Sequence, residues 1–518
     1  MKLFKNLFFC WEIFILLLLA GFIFTKDVKK PFYGHHDWNG VQYANIARNF
    51  VRYGFLNTKL GQIESSGLIK KDNNNNYIYN YNTHHPSLLP ILISFSFKIF
   101  GIHEWPARLV SIFFSLGTIL GLYFLGRFLF SRTIGFFIAV FATVPSMMVY
   151  FGKMPVHEPL ILCWSVWSIY FYTLWIKTKK NKFFTLLLIF TFLNGITGWP
   201  GYFLYPIITL HAVTPGVALR LSNGSPRGWK AWRKTLWPWF ILAITFSLHL
   251  IQTYILTGSV TGGGLLEIFL KRINQETDPV QAAIIGFSWK KYLIQEARWL
   301  TIYFTRPLVI VGLLVLLIFL FKIRPWRRQR LDLSKSTILL TLLFALSYPL
   351  VFSNAVFIHD YLNIYFLPFF VLSTGWVIFR IEKLFPAKIV FLLSLLLFIF
   401  IATERKDFVK ALQKSSMHKI GYDLGLAVKQ RTNFDEAVLI SAPQFAAHFS
   451  KFVYFYADRK VGFWEGGVEE FQKEKENLAE KYKYLITVDS MPVSEELKQE
   501  FDKMEGQKIR EFIFYRIN

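Results

Sequence analysis

The feature that most constrains this chain is a series of long apolar segments, each close to the length of a membrane-spanning helix. In 14–24, 308–321 and 389–401, nearly every residue is Leu, Ile, Val or Phe. A helix of about 20 apolar residues crosses a hydrocarbon core of about 30 Å. In a chain of 518 residues that is 53% hydrophobic, this pattern predicts a polytopic α-helical membrane protein.

The apolar segments predict about eleven spans and leave one shorter segment that decides the topology. This segment, 88–100, contains Pro90 and would form a helix of about 20 Å, which is too short to cross the bilayer comfortably. We therefore expect it to lie on the outer face as a juxtamembrane helix. The predicted spans are 7–25, 107–129, 134–151, 159–176, 183–195, 198–213, 236–256, 304–321, 336–353, 362–379 and 387–403.

The distribution of positive charge supports this topology. The formal net charge is +25, but the basic residues form short clusters between apolar segments, so we expect no nucleic-acid partner. If 88–100 does not span, every cluster faces the same side as the N-terminus, which the positive-inside rule assigns to the cytoplasm. The clusters are Arg127 with Arg132, 177–182, 220–234, 322–330 and 380–388.

The same topology divides the chain into a transmembrane domain, 1–403, and a charged C-terminal segment, 404–518, outside the membrane. The transmembrane domain carries two long outer loops, 26–106 and 257–302. Because the C-terminal segment has no spanning run but alternates strand-like and helical patterns, we expect a small extracytoplasmic α/β domain. The strand-like segments are 438–441, 484–488 and 512–516, and the helical one is 445–456.

Four turns on the predicted outer face carry histidine or acidic residues, the usual acid–base and metal-ligating groups. Each turn also has a structural interpretation. Asp37 precedes an amphipathic pattern and would cap that helix, and Glu158 would interact with the dipole of its span. His359-Asp360 would anchor a span at the interface, and His84 would be solvated. Their convergence on one face favours a functional site. The turns are His35-His36-Asp37, His84-His85-Pro86, His157-Glu158-Pro159 and His359-Asp360-Tyr361.

Arg108 is the other unusual residue, because it stands at the start of an apolar run. A buried arginine there is unfavourable unless it reaches the interface or is paired. One interpretation is that it reaches the interface, and the other is that its guanidinium binds a phosphate in bidentate fashion. Further basic residues near the same face are Lys290, Lys291, Arg298 and Arg306.

Several of these segments resemble the integral-membrane glycosyltransferases of the type-C fold. They are 36–48, which begins His-Asp-Trp-Asn-Gly, His84-His85-Pro86 with Pro90, Trp105-Pro106-Ala107-Arg108, and His359-Asp360-Tyr361 with Pro368. The resemblance covers 10–180 and, more thinly, 340–380. It is strongest to the dolichyl-phosphate-mannose protein mannosyltransferases and the bacterial aminoarabinose transferases.

The resemblance implies transfer of a monosaccharide from a polyprenyl-phosphate donor to an acceptor hydroxyl, with inversion at the anomeric carbon. It makes Asp37 the base, with Glu158 as a second acid. The acceptor would be a protein, a lipid or a cell-wall polymer. The family often has a second acid after the first and Lys-Pro-Pro before the juxtamembrane helix, where this chain has Trp38 and His84-His85-Pro86. The residues expected near the donor phosphate are Arg108, His84, His85, Arg298, His359 and Tyr361.

No cofactor is certain from the sequence, although a divalent metal is possible because His36, Asp37, His157 and Glu158 are chemically suitable ligands. The two cysteines, Cys10 and Cys163, lie in apolar segments and offer neither a disulfide framework nor a thiolate metal site. The main alternative is a metal-dependent oligosaccharyltransferase that moves a lipid-linked oligosaccharide, and a transporter or flippase is a weaker one. The expected location is the plasma membrane of a prokaryote, with the N-terminus in the cytoplasm.

Overall fold

A computed structural model describes residues 2–67, 79–214, 233–262, 265–273, 286–322, 332–441, 446–491 and 493–517. The predicted basic clusters fall partly outside these residues, at 220–232 and 323–330. The described chain forms two compact units. The first comprises Met1–Val28, Thr83–Leu89 and Arg108–Gln413, and the second comprises Lys29–Asn82, Pro90–Ala107 and Lys414–Asn518. Most of the first outer loop and most of the C-terminal segment therefore belong to the same unit, and the predicted domain boundary at 403/404 stays a prediction.

The first unit is helical, as expected for a chain whose backbone polar groups must be satisfied in lipid. It contains α1 and α5–α16, together with most of α4, which begins in the second unit. These helices are α1 (Lys2–Thr25), α4 (Glu104–Leu129), α5 (Arg132–Thr143), α6 (His157–Thr178), α7 (Asn181–Gly195), α8 (Leu204–Val213), α9 (Trp237–Thr257), α10 (Leu265–Arg272), α11 (Trp289–Phe304), α12 (Arg306–Lys322), α13 (Leu333–Val351), α14 (Ser353–Ile358), α15 (Leu367–Glu382) and α16 (Ala387–Glu404). Short 3₁₀-helices precede α8, α9 and α15.

Six helical stretches among the described residues are long and apolar enough to cross a membrane, and a seventh is formed if α11 and α12 count as one broken span. The two helices of that pair meet at an angle of 116°. The chain is thus a multi-pass membrane protein. The predicted span 7–25 coincides with α1, and 134–151, 183–195 and 198–213 coincide with helices of 12, 15 and 10 residues, so the structure does not establish the count of eleven.

Breaks in the backbone explain why some predicted spans are short. The predicted span 134–151 is divided at Pro145, which lacks an N–H for helical hydrogen bonding, into α5 and a single π-helical turn at Met147–Phe151. The predicted span 198–213 begins with a 3₁₀-helix, Trp199–Phe203, before α8. Apolar composition alone does not reveal these changes of helix type.

The second unit begins with α2 (Trp38–Tyr53), a two-stranded antiparallel ladder of β1 (Gln62–Ile63) with β2 (Tyr81–Asn82), and most of α3 (Leu88–Phe100). The α3 helix has only 13 residues. It buries Leu89, Ile93 and Phe97 on one face and exposes Phe95 and Ile99 on the other. A helix that is apolar on both faces but too short to span is typical of a position at the membrane interface.

The C-terminal part of the second unit is built around a five-stranded mixed sheet with strand order β4-β3-β5-β7-β6. Strands β4, β3 and β5 are parallel, and β7 runs antiparallel to β5 and β6. The predicted strands at 438–441, 484–488 and 512–516 are confirmed. The elements are α17 (Lys406–Lys414), which leads in from the first unit, α18 (Lys419–Arg431), β3 (Val438–Ser441), α19 (Ala446–Phe452), β4 (Val461–Phe463), α20 (Val468–Lys481), β5 (Tyr484–Val488), α21 (Glu495–Phe501), β6 (Gly506–Ile509) and β7 (Phe512–Arg516).

Helices cover both faces of this sheet. Because successive strand residues point to opposite sides, each strand contributes side chains to the apolar core on either face. Val438 and Ile440 of β3 pack with α18 and α19. Leu439, between them, packs with Phe471 of α20 and Phe501 of α21. The largely apolar sequence of β3 and β5 follows from this double burial.

Candidate active site

Asp37 lies at the end of a tight turn that leads into α2, and its side chain is buried. Its Oδ2 accepts a hydrogen bond of 2.8 Å from the backbone N–H of Gly34. It makes no side-chain hydrogen bond to the first turn of α2, so the predicted helix cap is wrong. His36 precedes it with φ of 57°, in the left-handed region that non-glycine residues seldom adopt. The carboxylate is therefore held by the turn before the helix.

The polar residues Asn45, Arg48 and Asn49 of α2 are buried. Asn45 and Asn49 donate to backbone carbonyl groups of the segment around β1, at 2.7 Å to Glu64 and 2.9 Å to Ile63. Arg48 donates to the carbonyl oxygens of Tyr454 and Phe455, which follow α19. These hydrogen bonds fix the position of α2, the helix that follows Asp37, within the second unit.

In the first unit, three histidines and Trp199 form a cluster of aromatic rings in tilted and edge-to-face contact. The ring of His85 lies 4.6 Å from that of His157 and 6.2 Å from that of Trp199, and His249 lies 5.3 Å from Trp199. The indole N–H of Trp199 donates to the carbonyl of His84 at 2.7 Å. Burial, followed by electrostatic interaction with His157 and Arg272, lowers the pKa of His85 well below its ordinary value. His85 is therefore an uncharged hydrogen-bonding group near neutral pH.

Glu158 is buried in the first turn of α6, beside this cluster. Arg272, the last residue of α10, lies within electrostatic range of Glu158, His85 and His157. It also interacts with the hydroxyl of Tyr348. The structure therefore adds Arg272 to the site and groups it with two of the turns identified in the sequence.

Sequence reasoning missed Arg272. The only signal was its position in the outer loop 257–302, where Lys290, Lys291 and Arg298 are equally basic. In the structure those three side chains are exposed, whereas Arg272 lies within electrostatic range of the buried Glu158. Arg298 lies on the exposed side of α11, and Glu296, two residues earlier, is the charged residue that is buried. The role predicted for Arg298 stays a prediction.

The fourth turn, His359-Asp360-Tyr361, starts the 3₁₀-helix Asp360–Phe366. Asp360 is buried and accepts a hydrogen bond from the hydroxyl of Tyr303 on α11. The rings of His359 and Tyr361 are 5.4 Å apart, and Tyr361 also contacts Phe151. His359 and Tyr361, both expected near the donor phosphate, thus flank the buried carboxylate of Asp360.

Arg108 is buried in α4, and its Nη1 donates to the carbonyl of Val28 at 2.9 Å. Lys153, also buried, donates to the carbonyl of Lys26. Cations that bind the carbonyl groups after a helix stabilise its C-terminal end, so both residues fix the chain that follows α1. Arg306 is exposed and pairs with Glu404 at 3.5 Å.

Comparisons with known proteins agree with this description. The family model described as "Dolichyl-phosphate-mannose-protein mannosyltransferase" matches residues 84–221. Among solved structures, ArnT from Cupriavidus metallidurans bound to undecaprenyl phosphate is similar with a TM-score of 0.57, at 12% identity over 98% of each chain. The oligosaccharyltransferase of Archaeoglobus fulgidus, tethered with an acceptor peptide, gives a TM-score of 0.55 at 13% identity, covering 93% of this chain and 69% of that one. No curated protein matches the sequence.

The family match and the fold together define the class. The chain is an integral-membrane glycosyltransferase of the type-C fold. Within that class it resembles the protein mannosyltransferases and ArnT, as the motifs around Asp37, His84 and Arg108 predict.

Proposed function

We propose that this enzyme transfers one monosaccharide from a polyprenyl-phosphate donor to an acceptor hydroxyl at the outer face of a prokaryotic plasma membrane. The observation that carries the proposal is that Arg272 lies within electrostatic range of both His85 and Glu158. The leaving group is a lipid phosphate, which requires fixed positive charge and hydrogen-bond donors near the interface. ArnT, which has a similar fold, was solved with undecaprenyl phosphate bound.

In this mechanism Arg272 neutralises the donor phosphate as the glycosidic bond breaks. His84, His85, His359 and Tyr361 are the further candidates for hydrogen bonds to its oxygens. Arg108 and Arg298 stay candidates from the sequence, although Arg108 already holds the carbonyl of Val28. A guanidinium suits this role because its planar donors match two phosphate oxygens at once.

Asp37 is the proposed base, which takes the proton of the acceptor hydroxyl as its oxygen attacks the anomeric carbon. One oxygen of its carboxylate is held by Gly34, so its orientation does not depend on the substrate. A positioned base contributes roughly 10²–10⁴-fold to the rate. Direct displacement inverts the configuration at the anomeric carbon, and Glu158 is the second acid that would orient the reactants.

The proposed topology has about eleven spans, with the N-terminus in the cytoplasm. The outer loops 26–106 and 257–302 and the segment after 404 then lie outside. The exposed apolar residues of α3 support its assignment as a juxtamembrane helix. In this arrangement every candidate residue belongs to an outer loop, an outer turn or the adjoining end of a span.

A metal-dependent oligosaccharyltransferase is the second candidate, since the Archaeoglobus fulgidus oligosaccharyltransferase, one structure of which contains Zn and sulfate, has a similar fold. His36, Asp37, His157 and Glu158 remain the possible ligands. Loss of transfer after chelation, or an oligosaccharide product, would favour this alternative.

The most direct test is mass spectrometry of lipids retained by the gently purified protein. We expect a polyprenyl-phosphate carrying one sugar. A polyprenyl-linked oligosaccharide would support the second candidate, and the absence of any polyprenyl-phosphate after purification with added lipid extract would contradict both.

A further inference from the structure

Glu64, on the loop after β1, is held by two hydrogen-bond donors and one ion-pair partner that converge on one of its oxygens. Its Oε1 accepts from Gln42 Nε2 at 2.6 Å and from Asn82 Nδ2 at 2.7 Å, and Lys451 Nζ lies 3.8 Å away. Within the described residues its Oε2 has no hydrogen-bond partner, and the side chain is 28% exposed. The carboxylate is thus fixed in position with one oxygen facing outwards.

Lys451, from α19, is the second charged member of this cluster. Its Nζ donates to Gln42 Oε1 at 2.8 Å and lies 4.9 Å from the centre of the Trp38 ring. The side chain is 22% exposed. The ammonium group is therefore oriented by an amide and an aromatic ring while it retains donors for another partner.

The cluster starts at the residue next to the proposed base. Trp38 follows Asp37 directly, and Gln42 lies one helical turn beyond Trp38 on the same face of α2. Glu64 and Lys451 are both bonded to Gln42. All of these residues belong to the second unit, in which the C-terminal segment supplies Lys451 and the first outer loop supplies the rest.

We propose that Trp38, Gln42, Glu64 and Lys451 form a subsite that binds a neutral, hydroxyl-rich part of the acceptor, namely a carbohydrate. This proposal rests on the function proposed above for Asp37. A fixed carboxylate oxygen accepts from one sugar hydroxyl while an ammonium group donates to the next, and an indole contacts the C–H face of a sugar ring. The opposite charges of Glu64 and Lys451 cancel, so the cluster offers an anionic acceptor no net attraction.

Binding and transfer are measured separately to test the subsite. The full-length protein in nanodiscs is titrated with maltotriose, with chitotriose and with a serine-rich peptide, and binding is followed by saturation-transfer NMR. We expect at least one of the two saccharides to bind the wild type. Glu64→Gln and Lys451→Met should each weaken saccharide binding by about tenfold or more, because each removes a hydrogen bond that involves a charged group.

Glu500 and Lys503 provide the matched control. They form an ion pair of 2.6 Å on and just after α21 in the same unit. The variants Glu500→Gln and Lys503→Met remove the same charges without touching the cluster, so they should bind the saccharide as the wild type does. Failure of both saccharides to bind, binding of the peptide alone, or unchanged binding by both cluster variants would each overturn the proposal.

The same samples separate this proposal from the function on which it rests. Asp37→Asn should abolish transfer yet retain saccharide binding. If Asp37→Asn retains transfer, Asp37 is not the catalytic base, and this conclusion does not depend on the result of the saccharide titration. If either cluster variant fails to fold, as judged by hydrogen exchange in the C-terminal sheet, the other variant still decides the result.

Discussion

The guanidinium of Arg48 lies 2.9 Å from the carboxylate of Asp458, although the two residues are near opposite ends of the chain. Arg48 belongs to α2, and Asp458 follows α19 in the C-terminal segment. Arg52 and Ser66 also bond to this carboxylate. Asp458 therefore connects α2, the segment after β1 and the C-terminal segment within a single unit.

Replacing this acid should destabilise the second unit. In Asp458→Asn the Arg48 guanidinium, only 7% exposed, loses the charge that compensates its burial, and breaking a buried pair costs about 3 kcal/mol. Hydrogen exchange of the α2 and α19 amides would measure the loss as faster opening. Lys335→Met removes a more exposed ion pair with Asp332, so it should change hydrogen exchange near that pair only slightly. If both variants accelerate exchange equally, the Arg48–Asp458 pair does not stabilise the second unit as proposed.

The same carboxylate predicts sensitivity to acid. Burial would raise the pKa of Asp458, but the hydrogen bonds from Arg52 and Ser66 and the charge of Arg48 outweigh it and lower the pKa to about 2. Because the pKa is lower in the folded state, the stabilisation of about 2 kcal/mol is present above pH 4. It is lost as the pH falls from about 4 towards 2.

Limited digestion by pepsin across that interval would follow the loss, with cleavage expected in the C-terminal segment as the pH decreases. Asp458→Asn has no group to protonate at this position. Its digestion should therefore be faster at pH 4 and should vary less with pH. Parallel curves for the two proteins would show that other groups control acid unfolding.

Asp37→Asn should abolish transfer without changing the fold. The amide preserves size and can still accept the hydrogen bond from Gly34, but it cannot take a proton, so we expect a loss of roughly 10²–10⁴-fold. The measurement is the rate of sugar transfer with retained donor lipid. Glu476→Gln, an exposed change on α20, is the control for charge, and near-normal transfer by Asp37→Asn would exclude it as the base.

Arg272→Gln should weaken binding of the donor phosphate more than Arg298→Gln does. The structure places Arg272 within electrostatic range of His85 and Glu158 and leaves Arg298 exposed. Since a charge-assisted hydrogen bond is roughly twice as strong as a neutral one, we expect about tenfold or more loss of affinity for polyprenyl phosphate in Arg272→Gln. Partial recovery in Arg272→Lys would support a charge effect. A larger effect at Arg298 would reverse the assignment.

The juxtamembrane assignment of α3 is testable with single cysteines that flank it. Asn80 and His103 are both exposed. In a background without Cys10 and Cys163, Asn80→Cys and His103→Cys should both react with a membrane-impermeant maleimide from outside right-side-out vesicles. Lys180→Cys, in a predicted cytoplasmic cluster, should be protected. Reaction of only one of the flanking pair would mean that α3 crosses the membrane.

The sequence by itself determined the class of the protein and many of its elements. Apolar runs locate the long helices, because hydropathy over some twenty residues is a local property that needs no partner. Period-two alternation and short apolar runs located β3, β5 and β7. The turns at 35–37, 84–86, 157–159 and 359–361 could be identified because histidines and acids beside apolar segments are unusual there.

The tertiary structure decided which charged residues face one another. Arg272 was one basic residue among several in its loop, and only the packing of α10 distinguishes it from Arg298. The sequence of α2 indicates no distant partner for Arg48, yet this residue is buried against a residue from the other end of the chain. Asp37 resembles a helix cap but bonds backwards to Gly34. Local patterns fix secondary structure and burial tendency, whereas partners distant in sequence are set by folding, because the free energy of a buried charge depends on what is packed around it.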